Sequence, residues 1–359
     1  MKSFTTRAAR RPLIAAAIAL TTLATPALAY TASANPGGQN QPSATAPAGP
    51  GASTPTGHQD PNKPFITHEF TQQKKAVTDY WTPERMKAAI DMTQDFNSDQ
   101  NGPTAAPTAK PTEPAKQQSA QPMSYAGTTV PRAAAEAPRP TIGKVFFKMR
   151  GKDYVCSANS VQSKNKSVVA TAGHCANDKG QYADSFMFVP AYENGKAPLG
   201  EWVGVRAYTP TDWVQRGEMN MDTAFVVIAP AEDGSKLADK VGATGVAFNQ
   251  PRGQEYSAFG YPAAKPFDGQ TLKSCHGKAQ DDRHNSKRTS QGIPCDMTGG
   301  SSGGPWFVGN GYDPAKSVQN SVNSYGYKNT GTDMYGPYWG KEIQQAYEDA
   351  SADNNTNKK

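Results

Sequence analysis

The sequence predicts an all-β domain, an antiparallel sandwich or barrel, over residues 141–350 of a 359-residue chain. Three observations carry this. Short β-branched, aromatic or apolar runs recur from Thr141 onward, separated by Gly, Pro or Asn, a pattern of hairpins rather than of βαβ units. Only Gly340 to Ser351 in that region has helical texture. All four cysteines, Cys156, Cys175, Cys275 and Cys295, fall inside it, an even set that reads as two disulfides in an oxidising compartment. A cross-linked domain of about 210 residues is large enough to bury a real core.

Taken in order, Met1 to Ala29 opens with Lys2, Arg7, Arg10 and Arg11, continues with an apolar stretch from Leu13 to Leu28, and ends on Ala27-Leu28-Ala29. That is the pattern of a secretory leader cleaved after Ala29. Threonines and Pro26 interrupt its apolar run, which is too short for a permanent membrane span. No cysteine follows the cleavage site to take a lipid, and Arg10-Arg11 alone does not specify a twin-arginine route. Four of the 37 basic residues lie in the leader and none of the 31 acidic ones, so 33 face 31 in the remainder. The formal charge of +6 therefore falls to +2 on export. With no basic run left, nucleic acid is not indicated as a partner.

Residues 30–62 and 99–139 are low-complexity tracts with little to bury, expected to be disordered. Between them Phe65, Ile66, Phe70, Val77, Tyr80, Trp81, Met86, Ile90, Met92 and Phe96 recur at roughly helical spacing. Thr82-Pro83-Glu84-Arg85 predicts an N-cap with proline in the first turn, opening a helix over 82–96. An island of this size has no core of its own. It is a propeptide element that docks on the domain behind it, a small recognition patch, or a weakly ordered spacer.

Strands are expected at Val145–Phe147, Tyr154–Cys156, Val168–Thr171, Phe186–Val189, Ala224–Ile228, Tyr256–Phe259 and Trp306–Val308. A C-terminal helix and a disordered tail, 351–359, close the chain. Of the three possible cysteine pairings, Cys156 with Cys175 and Cys275 with Cys295 is preferred because each closes a local loop. No CxxC or HExxH spacing exists, so a zinc site is not expected.

The chemistry concentrates in Gly299-Gly300-Ser301-Ser302-Gly303-Gly304-Pro305. So much glycine is expected where the chain takes sparse dihedrals or brings bare amides close to a ligand. A serine there has its hydroxyl exposed and N–H groups nearby to hold a developing negative charge. It becomes a nucleophile only if a base removes its proton, and the base must be oriented. Thr171-Ala172-Gly173-His174-Cys175 supplies a histidine at the end of a strand, beside a cysteine that restricts its wandering. Asp222 opens the apolar run Ala224 to Ile228, which ties its backbone into a sheet. Asp184 and Asp212 also follow His174, without a comparable strand after them. Chain order then discriminates between folds. The loop also fits the G-x-S-x-G elbow of α/β-hydrolases, whose order is Ser, acid, His, but no histidine follows Ser302.

His174, Asp222, Ser302, in that order and in those three motifs, resemble the signatures of chymotrypsin-like (trypsin-fold) serine proteases, and more narrowly the secreted trypsin-like and V8-like peptidases of actinobacteria. The resemblance covers about 141–345. It implies two six-stranded antiparallel barrels, with His174 and Asp222 in the first, Ser302 in the second and the site between them. It implies an oxyanion hole at the N–H groups of Gly300 and Ser302, and a substrate-pairing strand at Ser324-Tyr325-Gly326. It makes Ser302, which precedes Gly-Gly-Pro, the nucleophile. Ser301 then stands where trypsins carry an aspartate that pairs with a new N-terminus, so a propeptide in 30–140 is expected to act by covering the cleft. Asp296, six residues before Ser302, holds the family position of the pocket floor, where a carboxylate favours Arg or Lys; an exposed loop Asp is the other reading. Asn323 stands where glutamate-specific members carry histidine, which makes a Glu preference less expected.

The function expected is thus a secreted serine endopeptidase, extracellular or held at the cell wall, monomeric, acting on protein or peptide substrates with no cofactor and no metal. A protease-like surface-binding protein without activity is the alternative reading, and an esterase on the same triad is a third. His276, Asp281, Asp282 and His284 share one hydrophilic loop between Cys275 and Cys295, expected to be a solvated disulfide loop rather than a metal site.

Overall fold

The structure, a computed structural model, describes residues 57–92, 133–327 and 332–354, all within the unit Ser53–Lys359. The expected leader, the tract at 30–56, the tract from 99 to 132, Phe96 and the end of the tail at 355–359 lie outside the described residues.

The chain begins with β1 (His58–Gln59), β2 (Phe65–Glu69), helices α1 (Lys74–Tyr80) and α2 (Pro83–Ala88), β3 (Ile90–Asp91) and β4 (Ala134–Ala135). Then come β5 (Ile142–Met149), β6 (Lys152–Val161), β7 (Val168–Thr171), β8 (Asn177–Asp178), β9 (Gln181–Tyr182), β10 (Asp184–Pro190), β11 (Trp202–Pro210) and β12 (Ala224–Ile228). Strands β5, β6, β7, β12, β11 and β10 pair in that cyclic order, each antiparallel to the next, and so close a six-stranded barrel. Val145, Phe147, Cys156, Val169, Phe225 and Val227 belong to one buried cluster. The runs β7 and β12 are apolar without alternation and buried at every residue, as strands covered on both faces must be. The C-terminal helix α5 (Lys341–Ala352) joins this cluster through Ile343, Ala346 and Ala350, and Trp339 and Tyr347 lie edge-on to Phe225. Short helices α3 (Thr211–Arg216) and α4 (Leu237–Val241) sit between strands.

The second half adds β13 (Gly245–Val246), β14 (Glu255–Gly260), β15 (Lys273–Lys278), β16 (Gln280–Asp281), β17 (Gln291–Pro294), β18 (Pro305–Val308), β19 (Val318–Val322) and β20 (Asp333–Gly336). Among the described residues these do not close a second ring. One sheet runs β13-β19-β18-β14-β15-β4 and another β16-β17-β20, with Tyr256, Ala258, Ile293, Trp306 and Met334 buried in one cluster. Both expected disulfides form: Cys156–Cys175 joins β6 to the turn after β7, and Cys275–Cys295 joins β15 to the residue after β17. The all-β expectation therefore holds, with one closed barrel and a pair of sheets in place of two barrels. No described helix is long and apolar enough to cross a membrane.

Residues 57–92 are built into this fold. β2 lies antiparallel on β11, Phe65 to Glu69 opposite Pro210 to Arg206, and β3 lies parallel to β6, Ile90 opposite Tyr154. Thr82 caps α2 by accepting from the Arg85 N–H, and Pro83 occupies the first turn as the sequence indicates. The helix ends at Ala88 instead of reaching 96, because Ile90 and Asp91 turn extended to pair with β6. Val77, Trp81 and Met86 join a cluster with Phe146, Val155 and Met187. Trp81 is 1% exposed, lies 5.6 Å from Phe146 between ring centroids, and donates its indole N–H to the Ser185 carbonyl at 2.6 Å. Trp81→Ala should remove this anchor and cost about 3–5 kcal/mol. The expected outcome is rapid proteolytic loss of 57–92 and a lowered Tm in the full chain; an unchanged cleavage rate there would show that the segment is held elsewhere. At the other end α5 runs through Ala352, Ser351 is buried, and Asp353 accepts from Arg206 and Tyr208, so the expected tail begins as an anchored helix end.

Candidate active site

His174 sits in a 3₁₀ turn, Gly173–Cys175, that follows β7 directly. Asp222 ends another such turn, Met219–Met221, just ahead of β12. Because β7 and β12 are neighbours, Thr171 opposite Ala224, these two turns leave the barrel side by side. Asp222 is wholly buried and His174 is 6% exposed. One carboxylate oxygen of Asp222 accepts the His174 backbone N–H at 2.8 Å and the other faces imidazole Nδ1 at 2.8 Å. A carboxylate only accepts, so Nδ1 carries the proton and Nε2 is left as the basic nitrogen. Ser324 Oγ donates to the same Asp222 oxygen at 2.5 Å. Burial opposes a charged imidazole, but the charge of Asp222, its hydrogen bond and the charge of Asp178 outweigh it, so the His174 pKa is raised.

The glycine-rich loop is sewn onto this end of the barrel by Ser157, which follows the disulfide-bonded Cys156. Ser157 N–H donates to the Ser302 carbonyl at 2.7 Å, and its hydroxyl donates to the Gly300 carbonyl at 2.9 Å. The Ser157 hydroxyl also accepts from the Tyr261 N–H, and Thr171 Oγ1 donates to the Ser157 carbonyl. Sulfur of Cys175, the residue after His174, lies 3.9 Å from the Ser302 carbonyl oxygen. Ser301 turns its hydroxyl back onto the Thr298 carbonyl at 2.7 Å, a local bond in the place of any pairing with a distant N-terminus. Among the described residues, the N–H groups of Ser301, Gly303 and Gly304 are taken by carbonyls within the fold, whereas those of Gly300 and Ser302 donate to none. Gly300 has φ +94°, a left-handed conformation that glycine adopts without steric cost.

No protein-family profile and no curated protein matches the chain. Solved structures do. The protease Anisep from Arthrobacter nicotinovorans is 55% identical, with a TM-score of 0.59, over 61% of this chain and 99% of its own. The thermostable serine protease AL20 from an extremophilic microorganism is 52% identical, with a TM-score of 0.56, over 60% of this chain and 98% of its own. This chain belongs to the chymotrypsin-like serine proteases.

The protease has a cavity of about 320 Å³ that opens at Ser302 and is lined by Met297, Tyr325, Tyr327, Asp333 and Met334 among others. Ser324, Tyr325 and Gly326, expected as the substrate strand, line it too. Asp296 does not. It is half-buried and its carboxylate accepts the Ala133 N–H at 2.5 Å, so the residue is turned from the pocket toward the chain just ahead of β4. None of residues 57–92 lines the cavity. The loop between the second pair of cysteines also differs from expectation. Asp281 and His276 are exposed, but Asp282 is 5% exposed and accepts from the hydroxyls of Tyr325 and Tyr327 and the N–H groups of His284 and Asn285. Burial works against its charge, but these four donors hold its pKa below the ordinary value. Asp282 thereby fixes two walls of the cavity. Sequence reasoning missed Ser157, Asp282, Tyr327 and Asp333: the partners of Ser157 and Asp282 lie 143 and 43 positions away, and no local pattern shows that Tyr327 and Asp333 line the cavity.

Proposed function

We propose that this protease is a secreted endopeptidase in which His174, Asp222 and Ser302 act as a catalytic triad through an acyl-enzyme. The observation that carries the reading is the buried Asp222 holding both the backbone and Nδ1 of His174, on a barrel end to which the Ser302 loop is bonded through Ser157. Ser302 Oγ attacks the peptide carbonyl carbon while Nε2 of His174 takes its proton. Asp222 keeps the imidazole in the productive tautomer and stabilises the imidazolium. The carbonyl oxygen, now negative, is held by the N–H groups of Gly300 and Ser302, which the loop leaves unoccupied. Collapse of the tetrahedral intermediate breaks the C–N bond, and His174 returns the proton to the departing amine. Water then repeats the sequence on the ester and frees Ser302. The extended substrate pairs its backbone with Ser324–Gly326.

Several further elements belong to the same proposal. Residues 1–29 direct export, and the two disulfides suit an oxidising, extracellular setting. Residues 30–140 serve as a pro-segment whose part at 57–92 docks on the barrel of the catalytic domain, 141–350, and the protein acts as a monomer.

A fluorophosphonate tests the reading directly. It should label the folded protein once, at Ser302, by peptide mass mapping. The labelling rate should rise with pH as His174 loses its proton, and because that pKa is raised the midpoint should fall above the 6.5 of an ordinary imidazole. No label at Ser302, or a rate independent of pH between 5 and 9, would overturn it.

A further inference from the structure

The cavity beside Ser302 contains one charged side chain among its described lining residues, Asp333. Asp333 opens β20 and is half-buried. Its backbone is pinned in register, opposite Pro294 on β17. Among the described residues its carboxylate makes no hydrogen bond and no ion pair, while the other acids nearby are committed. Asp282 is engaged by four donors behind Tyr325 and Tyr327, and Asp296 by the Ala133 N–H. A carboxylate kept in a substrate cavity without a partner retains the cost of its partial desolvation, which a cation on the substrate relieves. Met297, Met334, Tyr325 and Tyr327 supply apolar and aromatic wall, beside the uncharged hydroxyls of Thr298, Ser301, Ser302 and Ser324. Such walls suit a long aliphatic stem that ends in a charge, and a cavity of about 320 Å³ holds one side chain of that size.

We propose that Asp333, not Asp296, sets the specificity of this enzyme, and that the residue it admits beside the scissile bond is lysine or arginine. The inference rests on the catalytic reading of Ser302, since the cavity is a specificity pocket only if the reaction occurs at its mouth. Arg288 does not reverse the sign. Its guanidinium lies over the rings of Tyr325 and Tyr327, donates to the Tyr327 hydroxyl, and is not part of the cavity lining. A glutamate side chain entering the cavity would bring its charge against that of Asp333, and a leucine would leave the carboxylate unpaired.

The test is digestion of a mixed peptide library, with products read by mass spectrometry, followed by kcat/KM on matched amides that differ only in the residue before the cut. Cuts should fall after Lys and Arg, favoured about 100-fold over Leu. Asp333→Asn should lower kcat/KM for the Lys and Arg substrates about 100-fold and change the Leu and Phe substrates less than threefold. Asp333→Glu should retain the preference for basic residues, and Asp296→Asn should leave the ratio of basic to apolar cleavage as in the parent. Fluorophosphonate labelling at Ser302 shows that each variant is folded. Labelling with cuts elsewhere than after Lys or Arg, or with none, overturns the pocket assignment alone; so does an Asp333→Asn enzyme with its preference intact. Absence of both label and cleavage in the parent overturns the catalytic reading, and this inference with it.

Discussion

Asp222→Asn is expected to lower kcat/KM about 10⁴-fold while the protein still folds. The reason lies in what each of its two oxygens accepts. An asparagine carbonyl in the place of the first keeps the bond from the His174 N–H. Its NH₂ group in the place of the second meets Nδ1 of His174 as a donor, so Nδ1 must become the acceptor and the proton moves to Nε2. That tautomer has no lone pair to receive the Ser302 proton. The Ser324 hydroxyl, which donates to the same oxygen, can rotate and accept from the new NH₂, so the fold loses little. The measurement is kcat/KM on a good amide substrate beside a thermal melt. A loss of less than tenfold with an unchanged melt would show that Asp222 does not set the tautomer and would remove the triad from the mechanism.

Gly303→Ala should be severely damaging. A Cβ there would lie 2.1 Å from Thr171 Oγ1, 2.3 Å from the Ser157 carbonyl oxygen and 2.8 Å from the Ala172 nitrogen. Two of these are backbone atoms of the barrel that carries His174, so no side chain can swing aside. The residue also has φ +80°, which adds the ordinary left-handed penalty of about 1–2 kcal/mol for a Cβ. Together these should destabilise by more than about 4 kcal/mol and separate Ser302 from His174, so that no fluorophosphonate label is taken up. Gly309→Ala is the matched comparison. Its φ is +91° but nothing lies within 4 Å of the added carbon, so it should show the dihedral cost alone and label normally. If the two variants melt within a few degrees of each other, the loop is not held against the barrel as tightly as the geometry requires.

Where strands are apolar on both faces the sequence displays them. Val168–Thr171 and Ala224–Ile228 are strands over those same bounds, since continuous burial leaves a continuous apolar run. The strand β19, Val-Gln-Asn-Ser-Val, is not legible in this way. Gln319, Asn320 and Ser321 are all buried, because their polar groups find Asn159, Tyr256 with the Ala247 carbonyl, and the Pro337 carbonyl. Only the folded chain brings those partners together. The same limit applies to 57–92. Its apolar residues and its Thr82 cap are visible, but the turn from α2 into β3 depends on a free edge of β6 that the local sequence does not describe.

Residue pattern is enough for the all-β class and for the chain order of His174, Asp222 and Ser302, and it favours the sequential disulfide pairing over the two others. Each is a property of residue type, periodicity or order along one strand of text, and local backbone preferences act on those directly. Only three-dimensional packing closes one barrel and leaves, among the described residues, two sheets in the other half, ties the nucleophile loop to the histidine end of the barrel through Ser157, and turns Asp333 rather than Asp296 to the cavity. Carboxylates of the same kind, 37 positions apart, differ only in which donors reach them. Ala133 reaches one, and none of the described residues reaches the other. That is a fact of three-dimensional distance, to which a one-dimensional pattern is blind.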